Sequence, residues 1–274
     1  MFTGWTYEGV SSPEKSVTVD KGSFGNKTFK ANFEFALEVS GDAIVDVKYS
    51  FTYSLVDFVV PSEVDGVKIT QIAENAFSWC ENLETVVIEE GIENIGYHAF
   101  FYCKKLESVK IPDSVSVIYT AFRDCTALKS VIFGKKSKLT NIDEWTFSGC
   151  ENLSEISLPN GVSYIGQFAF SDCKSLTSIK LSNRLTEIRY KAFSGCSSLK
   201  TVVIPHGVTV IDHSAFSGCT SLESAYIPSS VLIMGGWVFE NCPKLTIYCT
   251  SGTNTYYWEY NWNPDKRSVV WKED

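Results

Sequence analysis

The sequence predicts a β-rich solenoid, a stack of about eight coils of 22–25 residues with a parallel sheet along one face and short helical turns or irregular segments on the return side. Three observations predict it. An Ala-Phe pair, once Thr-Phe and once Val-Phe, recurs with a cysteine three residues later, at Phe77, Phe100, Phe122, Phe147, Phe170, Phe193, Phe216 and Phe239. Each unit also carries two apolar residues spaced by two, such as Val202 and Ile204, which face one side of a short strand. Proline follows that strand at Pro112, Pro159, Pro205 and Pro228, where a residue without a backbone N–H ends the ladder.

The sixth unit shows each element in order. Leu199, with its equivalents Leu83, Leu106, Leu128, Leu153, Leu176, Leu222 and Leu245, leads into the strand as a core residue. The inward pairs matching Val202/Ile204 are Val86/Ile88, Val109/Ile111, Val131/Phe133, Ile156/Leu158, Ile179/Leu181 and Ala225/Ile227. After the turn, Val208 and Ile211 begin the return side, which has room for a short extended piece and one tight turn before Phe216 plugs the interior. One coil cannot bury its apolar side, so stacking supplies the missing wall. Two units depart from the period. The Phe100 to Phe122 interval loses one residue on the return side, and GKKSKLTNI lengthens the turn between Phe133 and Ile142 by two. Such changes bulge outward while the anchors keep register. Lys135, Lys136 and Lys138 in that turn read as a solvated turn, with a contact site as the alternative.

Outside the repeats, residues 1–40 alternate as a small β segment, with SVTV at 16–19, GSFGN at 22–26 as a hairpin connection, and Phe29, Ala31, Phe33, Phe35, Leu37 and Val39 on one side. Residues 41–76 read as an N-terminal cap and lead-in, with strand-like sequence from Asp46 to Pro61. The solenoid spans 77–250, ending on Leu245, Ile247 and Cys249, and 251–274 form an aromatic-rich C-terminal cap. Tyr256, Tyr257, Trp258, Tyr260, Trp262 and Trp271 suit covering a terminal apolar face, with a ligand platform as the alternative.

Composition removes several function classes. No apolar run approaches the roughly 20 residues that span a bilayer. The chain has 24 basic and 32 acidic residues, and no Lys/Arg cluster extends far enough to track a phosphate backbone, so no nucleic-acid partner is expected. The amino terminus has neither a basic start nor an apolar stretch and reads as the interior of a longer protein. Eight of nine cysteines occupy one repeat position rather than metal-knuckle pairs, so no metal is expected. Stacked strands bring such cysteines close enough for bridges, but parallel side chains hold their Cβ atoms slightly too far apart. The ladder therefore reads as buried free thiols acting as small hydrophobes, and Cys249 as the buried end of a strand. No G-x-S-x-G or phosphate-cradling lysine motif occurs, and of the three histidines His206 and His213 read as exposed turn residues, while His98 sits four coils earlier. No catalytic residue and no cofactor are expected.

Units such as AFSDCKSLTSIKL, AFSGCSSLKTVVIP and AFSGCTSLESAYIP resemble the BspA-like leucine-rich repeats over residues 55–250, with PSEVDGVKITQIAENAF similar to the lead-in and CPKLTIYC to the exit. The resemblance implies a right-handed leucine-rich-repeat coil, and a place in secreted or surface proteins of bacteria and some protists that attach to host proteins or other cells. Residues 2–34 resemble the end of a Listeria-Bacteroides type surface repeat, carried by Gly4-Trp5 and Ala31-Asn32-Phe33, with phenylalanine at Phe33 where that module often has tryptophan.

Function is therefore sought on the outward row between the inward residues of each strand, Val87, Lys110, Ile132, Ser157, Lys180, Val203 and Tyr226. Its mixture of apolar, cationic and aromatic groups suits a protein partner or a glycan on one, over about 34 Å of seven strand spacings. Val87, Lys110, Ile132, Lys180, Val203 and Tyr226 are the candidate contacts. The neighbouring row, Thr85, Ser108, Ser130, Glu155, Ser178, Thr201 and Ser224, leaves the surface flat. An extracellular adhesin-like module that binds a host or neighbouring-cell partner is one reading; a spacer without a ligand of its own is the other.

Overall fold

The computed structural model describes residues 4–6, 30–32, 37–47 and 55–273. Parallel strands stack along the chain on two sides of a solenoid. On the first side Asp57–Val60, Thr85–Ile88, Ser108–Ile111 and Ser130–Phe133 form one ladder, Glu155–Ser157 pairs with Ser178–Lys180, and Thr201–Val203, Ser224–Ile227, Thr246–Thr250 and Ser268–Lys272 form another. The return side carries two-residue strands: Gln71–Ile72, Asn94–Ile95 and Val117–Ile118, then Asn141–Ile142 through Tyr257–Trp258. Among the described residues there is no helix, so the predicted return side resolves into short extended pieces and irregular turns. No helix there is long and apolar enough to cross a membrane.

The inward pairs are buried as their spacing predicts, Val202 and Ile204 among them, although Phe133 and Ile179 are only half-buried. The leucines that lead into the strands lie in the core, and all nine cysteines are buried and free. Through the centre runs a column of the eight anchor phenylalanines, fully enclosed, with neighbouring ring centroids 5.0 to 5.7 Å apart. Phe170 and Phe193 are nearly coplanar in orientation, 1° apart at 5.2 Å. Such offset rings gain quadrupolar attraction beyond the area they bury.

A third ladder holds the anchor side. The residues two before and two after each anchor have positive φ, as at Trp145 (58°) and Gly149 (72°) around Phe147. Turning the backbone this way aims alternate N–H groups along the stack. Trp145, Phe147 and Gly149 donate to the carbonyls of Gln167, Ala169 and Ser171 in the next coil at 2.8 to 2.9 Å. The donors all point toward the carboxyl-terminal coil, so the last ones need new partners. Trp237 N–H finds the Asn261 carbonyl at 2.9 Å, and Asn241 N–H the Asp265 carboxylate at 2.8 Å.

GKKSKLTNI interrupts both strand ladders, between Ser130–Phe133 and Glu155–Ser157 on one side and between Val117–Ile118 and Asn141–Ile142 on the other. The anchor ladder carries across this point: Phe122 N–H reaches Thr146 O at 3.1 Å and Asp124 N–H reaches Ser148 O at 2.8 Å, while Thr120 donates its hydroxyl to Glu144 O at 2.8 Å. The insertion is thus absorbed outward while the phenylalanines stay in register.

Coil-like pairing extends past the eight anchored units. Asp57–Val60 pairs with Thr85–Ile88, and its Phe58 packs on Phe77 at 5.4 Å. Ala43–Val47 pairs in parallel with Gln71–Ile72 and antiparallel with Leu37–Ser40, which edges that sheet. At the other end Thr246–Thr250, with Ile247 and Cys249 inward, is not the last strand: Ser268–Lys272 pairs beyond it. Trp258 is buried and donates its indole N–H to Val231 O at 3.2 Å, while Trp262 meets Phe239 edge-on at 6.4 Å. Tyr256, Tyr257, Tyr260 and Trp271 stay exposed, so of the six tail rings Trp262 meets the end of the phenylalanine column and Trp258 packs edge-on against Trp262 at 5.0 Å. Near the amino terminus Gly4–Thr6 pairs antiparallel with Lys30–Asn32. The 16–19 strand, the 22–26 hairpin connection and the residues from 48 to 54 lie outside the described residues.

Candidate functional site on the long-strand face

Strand periodicity alternates residues between core and surface, so the middle residue of each long strand faces solvent. All six candidate contacts are exposed: Val87, Lys110, Ile132, Lys180, Val203 and Tyr226. Ile132 and Val203 retain 55% and 62% of their accessible surface, a large exposure for aliphatic side chains. The ladders divide the row. Val87, Lys110 and Ile132 stand directly beside one another, Lys180 pairs with Ser157, and Val203 pairs with Tyr226.

The register adds members that the repeat pattern alone leaves out. Val59 extends the row before Val87, and Tyr248 and Val270 extend it after Tyr226. Tyr226 and Tyr248 stack at 4.9 Å, and the Lys272 ammonium lies 4.3 Å from the Tyr248 ring centre. These groups and Val203, His206 and Glu273 line a shallow cavity of about 220 Å³. The irregular spacing of Tyr248 and the position of Val270 in a non-repeating tail hid both; the only signal was the alternation Ile247, Cys249 around Tyr248. In the adjacent row Thr85 bonds Asp57, and Thr201 and Ser224 bond each other at 3.0 Å, so hydroxyls are tied along the stack.

A second surface was missed. Around the anchors, Trp79, Phe101 and Tyr102 form one group of ring contacts and Trp145, Phe168 and Tyr190 another, with Trp145 and Phe168 stacked at 4.0 Å and Arg123 between the groups. Arg123 lies 4.5 Å from the Trp145 ring centre, and Lys104 lies 4.1 Å from that of Tyr102. Four of these rings hold the positive-φ positions two residues from an anchor: Trp79, Tyr102, Trp145 and Phe168. The signal was aromatic residues in slots where turn chemistry favours glycine or asparagine.

The histidines separate. His206 is exposed beside the Tyr226 cavity, and His98 packs on Phe101 at 5.1 Å. His213 is less open than its turn setting predicts. Its Nδ1 meets Asp212 at 2.8 Å and its Nε2 meets Glu259 at 2.6 Å, tying the coil of Phe216 to the tail. The Asp212 carboxylate, and then Glu259, raise its pKa against the opposing effect of burial. Burial raises the thiol pKa of Cys80, Cys103, Cys125, Cys150, Cys173, Cys196 and Cys219 and takes Cys249 to about 12, which leaves these groups poor nucleophiles.

The comparisons with known proteins agree with this architecture. No curated protein matches the sequence. Among solved structures, a leucine-rich-repeat protein of T. pallidum is similar at 28% identity and a TM-score of 0.61, over 70% of this chain and 90% of that one. One from Bacteroides ovatus is 23% identical with a TM-score of 0.55, over 98% of this chain and 75% of that one, and shares the fold. The pattern of the BspA type leucine rich repeat region matches six copies across residues 42–138 and 120–246, a stretch that contains the whole phenylalanine column. On that match the chain belongs to the BspA-type leucine-rich-repeat family.

Proposed function

We propose that this chain is an adhesin-like binding module of a secreted or bacterial cell-surface protein, and that its long-strand face takes a host or neighbouring-cell protein, or a glycan carried on one. The observation that carries the reading is the exposed row itself. Val59, Val87, Ile132 and Val203 leave aliphatic surface in water at 38% to 62% of full exposure, interleaved with Lys110 and Lys180 and ending at the Tyr226–Tyr248 stack. Partner surfaces favour aromatic anchors, apolar contacts and few carboxylates at their centre, and a rigid sheet presents them without ordering cost. Family membership supports the surface setting.

A spacer role is favoured by one feature, the anchor ladder, which carries across the insertion and stiffens the stack. Binding to a panel of extracellular proteins and glycans separates the two. The binding reading expects saturable binding that Lys110→Ala, Lys180→Ala and Tyr226→Ala together weaken without unfolding the stack. Failure of the folded protein to saturate with any member favours the spacer, and unchanged affinity of the triple variant moves the site off this face.

A further inference from the structure

Consecutive coils cap one another at the turn that follows the long strand. The Glu90 carboxylate accepts the backbone N–H groups of Asp113 and Ser114, one coil on, at 2.9 and 3.1 Å. Those bonds, the one from Asp113 first, hold the Glu90 carboxyl below its usual range. Asp113 repeats the arrangement and accepts Lys136 N–H at 2.7 Å. Its seat requires Gly134, because a Cβ there would fall 2.0 Å from the Asp113 oxygen.

The series then changes sign. The position of Glu90 and Asp113, second after the strand, is Lys135 in the following coil. The next turn, Pro159-Asn160-Gly161, accordingly has no carboxylate beneath it. Among the described residues the N–H groups of Asn160 and Gly161, the equivalents of those that Glu90 caps, have no hydrogen-bond partner. In place of the carboxylate lies a cavity of about 290 Å³, lined by Lys135, Lys136, Asn160, Gly161 and Arg184 together with Gly134, Ser137 and Pro159. No carboxylate among the described residues is within ion-pair distance of Lys135, Lys136 or Arg184. Three cations from two coils thus gather around open backbone donors in a chain whose net charge is -8.

We propose that this turn cavity binds an oxyanion, a sulfate or phosphate group, in the place that a carboxylate fills in the two preceding coils. Backbone N–H groups recognise such an anion by the geometry with which they meet Glu90, and Lys135, Lys136 and Arg184 supply charge-assisted bonds. The site lies at the edge of the long-strand face and stands independently of the function proposed for that face.

The test is a titration of the whole chain with sodium sulfate and with sodium phosphate, at ionic strength held constant with chloride, following amide resonances by NMR. Saturating shifts of the Asn160 and Gly161 amides are expected with either anion. Arg184→Ala should weaken binding roughly tenfold, the worth of one charge-assisted bond. Lys135→Glu should abolish the response by restoring the internal carboxylate, and Lys110→Ala, equally cationic but outside the cavity, should leave it unchanged. Chemical shifts elsewhere in the stack report that each variant is folded. A glucose 6-sulfate arm distinguishes sources: tighter binding than inorganic sulfate places the anion on a sugar, and equal binding makes it a free ion. The proposal is overturned if Asn160 and Gly161 do not respond beyond chloride, or if folded Lys135→Glu binds as well as the parent.

Discussion

The Cys196 thiol donates to the carbonyl oxygen of Phe170 in the preceding coil at 3.1 Å, and that oxygen also accepts the Cys173 N–H at 3.3 Å. The same pair recurs from Cys103 on Phe77 to Cys242 on Phe216. The cysteines are therefore more than small hydrophobes: each fills a gap beside the phenylalanine column and uses a weak S–H donor on a carbonyl that stacking buries. Cys196→Ala should cost about 1 to 2 kcal/mol through lost sulfur contacts and a small cavity, and no more, since the Cys173 N–H keeps the Phe170 oxygen satisfied. Denaturant unfolding measures it. Losses well above that range would mean that the thiol bond carries stability on its own.

Thiol accessibility follows from the same enclosure. All nine thiols are buried, and burial raises the pKa of Cys173 among them, so a thiolate-selective reagent should react slowly with the native protein and find nine thiols once it is denatured. Rapid native reaction of several thiols would show coils opening locally, and fewer than nine in denaturant would contradict the free-thiol ladder.

Core and face should separate sharply in one coil pair. Phe170 is fully enclosed between Phe147 and Phe193, whereas Lys180 is exposed on the sheet. Phe170→Ala should cost about 3 to 5 kcal/mol and Lys180→Ala stay within about 0.5 kcal/mol. Equal losses would remove the distinction on which the binding face rests.

How far these features could be read in sequence depended on whether they repeat with a period. Val202 and Ile204 announce an inward face because strands alternate every two residues, and the Phe/Cys spacing fixes how the coils stack. A two-residue strand such as Val210–Ile211 has no period, so the return ladder emerges only from neighbours in register. The positive-φ slots were hidden for a different reason. Trp145, Phe168 and Lys191 occupy them, and local propensity argues against that conformation for such side chains. Ladder bonds on both sides of the anchor override the preference. On the candidate face, Val87 to Tyr226 were legible by alternation, but Tyr248 and Val270 join through pairing with strands outside the repeat.

Those slots make a prediction about glycine. Two residues after the anchor the coils carry either glycine or a larger residue, as Asp172 (φ 58°) is followed one coil later by Gly195 (φ 76°). A Cβ on Gly195 would lie 2.4 Å from the Asp172 carboxylate oxygen, a side-chain tip that can swing away. The lasting cost of Gly195→Ala is then the left-handed backbone, about 1 to 2 kcal/mol. Asp172→Gly should be neutral to stabilising by comparison. Thermal unfolding of the two variants decides it, and a stabilised Gly195→Ala would contradict the assigned backbone.

The tail should release in a pH-dependent way. His213 bridges Asp212 and Glu259, and its pKa is raised chiefly by the hydrogen bond to Asp212. A group whose folded pKa exceeds its unfolded value stabilises fully below the unfolded value, about 6.5 for histidine, and loses that contribution as pH rises through the folded value. Attachment of residues 251–273 should therefore weaken as pH climbs from about 6.5 through the raised folded value. With 41% of the side chain exposed, solvent screening keeps the effect within about 1 kcal/mol. Amide exchange at Trp258 and Trp262 provides the local readout, expected to quicken over that window beyond its intrinsic pH dependence. His213→Gln should flatten the excess; an excess that persists in the variant would place the pH-sensitive group elsewhere.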